Sequence, residues 1–568
     1  MNYLDWSVLF FTIALIVTYG VIRTRGKNTM DGYLKGDNMK WWMIGISIMA
    51  TQASAVTFLS VPGQGFVDGM RFLQFYFGLP LAMVIISVTI VPIYYRLKVY
   101  TAYQYLETRF DLKTRLLAAI LFLLLRGLSA GITLFAPSLV LSTILGWPLS
   151  VTTVLIGSLV IIYLLSGGSK AVSLTQRYQM AIIMGGMILA GVMAFTMLPE
   201  KVTFGDSISI AGTLGKFNLV NFEFNLADRY NIWSGFIAGT FLFLSYFGTD
   251  QSQVARYLGG ASEAESKLGL IFNGLLKIPM QFIILFIGVM VYIFYLFNQP
   301  PVFHNHVLEV AALKTERSAE IQALQGSYDS LYSEKRIAVD QLVDAIHAKD
   351  EVAINNNKDH INAIAVQEKI VRDSVKSEVS KALSIPKSKT EDRDYIFLNF
   401  VLSRLPHGIV GLLIAVIFSA TMGSMAGELN ALASTTCVDI YKRIVNREQS
   451  PDHYLRASQW FTVLWAAIAM AFTLLVSFAE NLIQVVNIVG SLFYGTILGI
   501  FLTAFYIRYV KGTAVFWAAL IGEAVVLYCF KYTDIAYLLY NIIGCGVVIL
   551  FSLILQPLVG RKDEGPKI

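Results

Sequence analysis

Thirteen apolar runs long enough to cross a bilayer recur along the chain, and they leave it few ways to fold. A segment of about 20 apolar residues in lipid must satisfy its own backbone, so it becomes a helix. The runs fall at 5–22, 41–66, 72–97, 115–145, 148–166, 176–198, 231–257, 267–298, 408–440, 456–478, 482–508, 513–530 and 535–557. The fold class read from them is an all-α polytopic membrane protein. Composition agrees: 56% of the 568 residues are hydrophobic and only 14% are charged. The net charge of +6 follows from basic loops beside the runs and implies no nucleic-acid partner.

Those loops set the expected orientation. No basic residue precedes the first run, and Arg23, Arg25 and Lys27 follow it, the reverse of a secretory signal. Arg96, Lys98, Arg109, Lys113 and Arg115 share one loop; Lys170 and Arg177 a second; Arg256 and Lys267 a third. Lys442, Arg443 and Arg447 form a fourth cluster, Arg508 and Lys511 a fifth, and Arg561 with Lys562 ends the chain on the same side. An outside N-terminus and a cytoplasmic C-terminus follow, in a multi-pass plasma-membrane protein such as one of a bacterial inner membrane.

Residues 302–394 differ in kind: polar, without Trp, and rich in Ala, Glu, Lys and Ser. Ile321, Leu324, Tyr328, Leu331, Ala338, Leu342 and Ala345 recur near a heptad. After a polar break at Asn355–Asn357, a second run uses Ile361, Ile364, Val371 and Val375. This predicts an external helical hairpin, self-packed or as two loosely ordered helices, with Lys335 as a misfit at the seam. It is either a decoration or a docking surface for another protein.

Two stretches inside the apolar runs carry the chemistry. Ser47–Phe66 is a poor continuous helix, because hydroxyls, small residues, Pro62, Gly63 and Gly65 interrupt it. A helix broken at membrane depth survives where it lines a cavity or binds an ion, or as a Pro kink packed on its neighbours. The second stretch, Phe418–Lys442, places Ala420, Gly423 and Ser424 on one helical face. Carbonyls and hydroxyls suffice for an alkali cation, though small residues also serve close helix packing. Enzyme chemistry has no footing, since no nucleophile–base pair appears and Gly167–Gly168 lacks a phosphate-loop context. Cys437, Cys529 and Cys545 lack paired spacing and the six histidines are scattered, so no cofactor is expected.

Five motifs in order resemble the sodium/solute symporter family. They are Gly45–Ala50 through Pro62, Leu165-Ser-Gly-Gly-Ser-Lys-Ala-Val172, Thr249-Asp-Gln-Ser-Gln-Val-Ala-Arg256, Ala431–Tyr441 and Gly490–Gly499. The resemblance implies a LeuT-type fold of two five-helix inverted repeats. Its parts are a preceding helix and loop (1–40), the first repeat (41–198), an external loop (199–230), the second repeat (231–301 and 395–508) split by the 302–394 hairpin, and two final helices (509–568). It implies a sodium site at the carbonyls of Ala50, Ala53 and Ala420 with positions 423 and 424, where Ser424 matches and Gly423 lacks the family's hydroxyl. Gln176, Ala426 and Gly427 stand where members with a second sodium carry oxygens, so one sodium per solute is expected. The substrate cavity implied is lined by Gln52, Ser54, Thr57, Phe58, Phe75, Tyr76, Arg126, Tyr246, Phe247 and Asn487.

Arg126, mid-span, either receives a substrate carboxylate or pairs with Asp250, Glu428 or backbone carbonyls. Glu428, one turn beyond Ser424, either assists coupling or pairs with a nearby base. Tyr76 and Ile488 occupy the family's sugar-recognition positions, which argues against glucose-type recognition. The function expected is sodium-coupled import of a small organic solute by alternating access, an acidic sugar or other organic anion first. A neutral sugar or polyol, a proton-coupled carrier and a non-transporting sensor are the alternatives.

Overall fold

The computed structural model describes residues 1–24, 39–97, 99–475 and 481–559, without the side chains of residues 17, 20, 21, 23, 24, 166–174 and 475. Arg23, Arg25, Lys27, Lys98, Lys170, Arg561, Lys562 and the Gly-Gly motif of 165–172 therefore fall wholly or in part outside it. Everything regular among the described residues is helical, with one isolated bridge between Met39 and Gly260.

The first half comprises α1 (Tyr3–Thr24), α2 (Trp41–Gln52), α3 (Ala55–Asp68), α4 (69–97, opening as a 3-10 turn), α5 (Leu112–Leu145), α6 (Leu149–Leu165) and α7 (Thr175–Thr196). The second comprises α8 (Gly239–Gly248), α9 (Gln251–Leu258), α10 (Glu263–Phe297), the hairpin α11 (Ser318–Ala348) and α12 (Glu351–Ala382), then α13 (Tyr395–Arg404), α14 (Ile409–Thr435), α15 (Pro451–Leu475), α16 (Leu482–Tyr506), α17 (Gly512–Tyr532) and α18 (Tyr540–Val559). Nine helical stretches among the described residues are long and apolar enough to cross a membrane alone. The backbone from 149 to 196 is helical throughout, yet the Tyr163 and Thr175 hydroxyls lie 2.5 Å apart. A straight helix would hold those residues about 18 Å apart, so α6 and α7 fold back on each other.

The break in the 41–68 span lies at Ala53–Ser54, nine residues before Pro62, which sits inside α3. Pro62 and its glycines serve packing instead. A Cβ on Gly288 of α10 would overlap the Pro62 carbonyl, and one on Gly65 would overlap the Leu285 carbonyl. Two helix backbones thus meet where only hydrogen fits between them. The 231–257 run, expected to be continuous, also breaks, at Thr249–Asp250, where Asp250 accepts from Ser252 N and caps α9. Two of the expected loop bases are interior. Arg115 is 5% exposed and pairs with Glu107 at 2.6 Å and Asp439 at 2.7 Å; Arg256 is 2% exposed within α9.

Residues 318–382 form two packed helices, α11 and α12, whose turn lies at Lys349–Asp350, and Asn355–Asn357 continue inside α12. Lys349 takes a left-handed φ of 55°, and Asp350 accepts from Val352 N and Ala353 N, which starts the new helix. Ile321, Tyr328, Leu342, Ile361, Ile364 and Val375 are buried. Lys335 is no misfit, because it crosses to Glu368 of α12 at 2.6 Å. The base of the hairpin is fastened at Asp392, which takes Arg372 at 3.1 Å, Lys376 at 2.7 Å and the His304 amide at 2.9 Å.

Burial alone would raise the Asp392 carboxyl, but Arg372, Lys376 and the His304 amide outweigh it and hold it well below the usual range. A depressed folded-state value contributes stability that is complete above the ordinary value of 3.8 and lost as pH falls through the depressed one. Amide protection over 318–382, exchange normalised to the intrinsic rate at each pH, is therefore expected to stay flat from pH 7 down to about 4 and to fall below it. Asp392→Asn, which strands two cations, is expected to loosen the hairpin already at pH 7, by about 3 kcal/mol.

Candidate functional site

The first interrupted span turns its break toward an interior cavity of about 90 Å³, room for roughly six waters or one small solute, and the second reaches it through Leu242, Phe243 and Tyr246, just before its own break. Gln52, Ser54, Thr57, Phe75, Tyr76, Arg126, Tyr246, Asn487 and Glu428, all expected from sequence, line it. Phe58 and Phe247 do not; both are fully buried in the surrounding core. Thr51, Ser129, Thr133, Lys277 and Tyr494 complete the polar lining.

Arg126 reaches the cavity already paired. Its guanidinium contacts the Asp250 carboxylate, lies 3.1 Å from Glu428 Oε1 and donates to the Tyr494 hydroxyl at 2.6 Å. Tyr494 donates in turn to Asp250 at 3.0 Å, and the Tyr246 ring lies 5.4 Å below the guanidinium carbon. Of the two readings open at the level of sequence, the structure places the pairing with Asp250 and Glu428. Glu428 is 7% exposed, with Thr133 as a further polar neighbour.

Lys277 of α10 is the site residue that sequence reasoning missed. It is 2% exposed, lines the same cavity, and among the described residues its ammonium has no carboxylate partner; the nearest aromatic face is Tyr76, 5.9 Å away. Its signal was available as the one basic residue inside the apolar stretch 268–297. A lone cation buried at membrane depth is costly unless something supplies the counter-charge.

At the first break, the helical ladder of α2 ends with Ala53 N donating to Met49 O at 2.9 Å, and α3 opens with Thr57 N donating to Ser54 O at 2.9 Å. The carbonyls of Ala50 and Ala53 flank this junction. Ser424 and Ala420 lie on α14, with the Ser424 hydroxyl donating to Ala420 O at 2.9 Å. Gln176 of α7 joins the two elements. It donates to Thr51 Oγ1 at 3.1 Å and to Gly423 O at 3.3 Å, and accepts from Ser47 Oγ at 2.6 Å. Beside it, a Cβ on Gly427 would lie 2.7 Å from the Arg256 guanidinium and 3.1 Å from Thr51. No group of three or more metal-ligating His, Cys, Asp or Glu side chains occurs among the described residues. A cation here would rely on carbonyl and hydroxyl oxygens, the donor set that suits an alkali ion.

The model of the "sodium:solute symporter family" matches residues 33–316 and 375–522, stopping for most of the hairpin. The chain is 29% identical over 276 residues to the Homo sapiens sodium/iodide cotransporter, covering 47% of this chain and 42% of that one. It is 29% identical over 273 residues to the Xenopus laevis sodium-coupled monocarboxylate transporter 1, covering 48% and 43%. The alignments thus span less than half the length of these curated relatives. The sodium/sialic acid symporter SiaT of Proteus mirabilis is 23% identical over 573 residues, covering 99% of this chain and 97% of that one. The solved structure of a sodium-coupled sialic acid symporter, substrate-bound and outward-open, superposes with a TM-score of 0.75 at 21% identity and 98% coverage of both chains. At that identity the likeness establishes the fold, which is of the LeuT type.

Arg126→Gln strands two buried carboxylates and is expected to cost about 3–5 kcal/mol. Adding Glu428→Gln removes one stranded charge and is expected to recover part of the loss. Thermal unfolding in detergent measures both. A double variant less stable than the single would contradict the pairing.

Proposed function

The chain belongs to the sodium:solute symporter family, and we propose that it is a sodium-coupled symporter importing a small organic anion by alternating access. The observation that carries this is Lys277, a buried ammonium without a carboxylate, facing a cavity whose other cation is already taken by Asp250 and Glu428. An anionic solute gives that ammonium the direct partner that Asp250 and Glu428, both held on Arg126, do not; Arg126 shapes the cavity and does not grip the solute. The names of the matched relatives point the same way, since iodide, monocarboxylates and sialic acid are all anions. The small cavity favours a short organic acid over a large acidic sugar in this conformation.

On this reading the thirteen runs are thirteen spans in a plasma membrane, with the N-terminus and hairpin outside and the C-terminus inside. Sodium sits between the α2–α3 junction and Ala420–Ser424. One sodium accompanies each solute, because Gln176 and the neighbouring Arg256 guanidinium occupy the region where a second cation would need anionic oxygens. A neutral sugar or polyol is the second reading, supported by the Phe75, Tyr76 and Tyr246 rings on the cavity wall.

In sodium chloride, against potassium chloride at equal ionic strength, the purified protein is expected to gain about 1.4 kcal/mol of apparent stability at tenfold the dissociation constant. Ser424→Ala is expected to abolish the gain. Sodium-driven vesicle uptake of short carboxylates is expected to fall at least tenfold in Lys277→Gln. Uptake of neutral sugars alone, indifferent to Lys277, would favour the second reading, and no difference between the salts would remove sodium as the coupling ion.

A further inference from the structure

The hairpin does more than sit on the transporter; it roofs a second cavity. A chamber of about 330 Å³ lies between α12 and the ends of α3 and α10. Thr57 and Lys277 of the transport cavity stand on the same two helices, about 14 Å below Phe66 and about 22 Å below Tyr292 of the chamber.

The chamber is basic inside an acidic insert. Residues 302–394 carry 16 acidic and 13 basic side chains. Yet the chamber is lined by Lys216, Lys335, Lys369, Arg372, Lys376 and Arg393 against three carboxylates, Glu368, Asp373 and Asp392. Glu368 answers Lys335, Asp392 answers both Arg372 and Lys376, and Glu391 beside the chamber answers Arg393 at 3.3 Å; with Asp373 counted, six cations face four carboxylates, which leaves positive charge over. Lys216 donates to the Phe66 and Val67 carbonyls at 2.7 and 2.8 Å, with the Asp68 carboxylate at the end of α3 acting on it as an opposite charge. Lys369 is exposed and has no ion pair among the described residues. His304, 2% exposed, lies beside the chamber walls Phe66 and Tyr295 with both ring nitrogens unpartnered. A walled cleft lined by one sign of charge concentrates ions of the other sign.

We propose that this chamber is an outer binding site for a small carboxylate anion, built by the hairpin and the 199–230 segment, which collects solute before it enters the transport cavity. The proposal deepens the anion-symport reading and rests on it for the identity of the solute.

Equilibrium dialysis of the purified full chain with radiolabelled lactate and gluconate, in buffer that contains saturating sodium, tests it. Two anions per chain are expected. Lys277→Gln removes one and spares the other; Lys369→Glu with Arg393→Gln weakens the other at least tenfold. Lys369 has no ion pair among the described residues and Arg393 pairs with Glu391 at 3.3 Å; hydrogen exchange over 318–382 verifies that the hairpin is retained. In vesicles the double variant is expected to lose uptake severalfold at limiting solute and to keep the maximal rate. A single anion per chain, abolished by Lys277→Gln and untouched by the double variant, would overturn the chamber and leave the symport reading standing. A single anion insensitive to Lys277→Gln but lost in the double variant would support the chamber and remove Lys277 as the anchor. Inorganic phosphate displacing either carboxylate at equal concentration would overturn the carboxylate assignment.

Discussion

A guanidinium at membrane depth is tolerated only when its charge and donors are answered, and the bundle is arranged around answering Arg126. The partners come from three other elements: Asp250 at the start of α9, Glu428 on α14 and Tyr494 on α16. Each alone is costly to bury, and together they offset much of that cost. Because Asp250 also caps α9, the same carboxylate holds the second helix break open and the cluster closed. Four elements, α5, α9, α14 and α16, are thereby tied together at one side of the cavity.

Close backbone contact is the second constraint. α3 meets α10 through Pro62, Gly65 and Gly288, where a single added carbon has no room. The hairpin base meets α3 at Gly63, which faces the Arg393 carbonyl. So the interrupted helix is gripped along its upper half, and its lower junction at Ala53–Ser54 is left to line a cavity. Irregular backbone in lipid survives under that arrangement and few others.

The apolar runs made the fold legible, because a bilayer leaves them one secondary structure. Most of the candidate cavity was legible too, since hydroxyls and aromatics inside such runs have little reason to be there. Pairing over distance was legible only as one alternative. Asp250 and Glu428, 124 and 302 residues away, stood among the candidate partners of Arg126, but nothing near it in sequence chose between them and a substrate carboxylate. The hairpin turn was placed at Asn355–Asn357 because three consecutive polar residues suggest a loop. On the exposed face of α12 they cost a helix little, while Asp350 supplied the cap that decided the turn. Pro62 misled in the opposite direction: neighbouring helices absorb a proline in lipid, and the small, hydroxyl-rich Ala53–Ser54 gave way instead. Arg256 resembled a loop base only because it stands near the end of its run; α9 turns it inward.

Charge balance offers a physical account of coupling on the proposed reading. Arg126 and Lys277 together cancel Asp250 and Glu428, so the cavity and its floor are neutral as a set when nothing is bound. Adding an anionic solute alone would leave one unit of negative charge in a low-dielectric interior, and adding sodium alone would leave one unit of positive charge. Either state carries a desolvation cost that the pair avoids. Joint occupancy, one sodium with one anion, restores neutrality without any contact between the two ligands. The same sum explains why Gln176, in place of a carboxylate, fits a one-sodium design: a further negative charge there would call for a further cation, and the Arg256 guanidinium beside Gly427 leaves that neighbourhood no call for one.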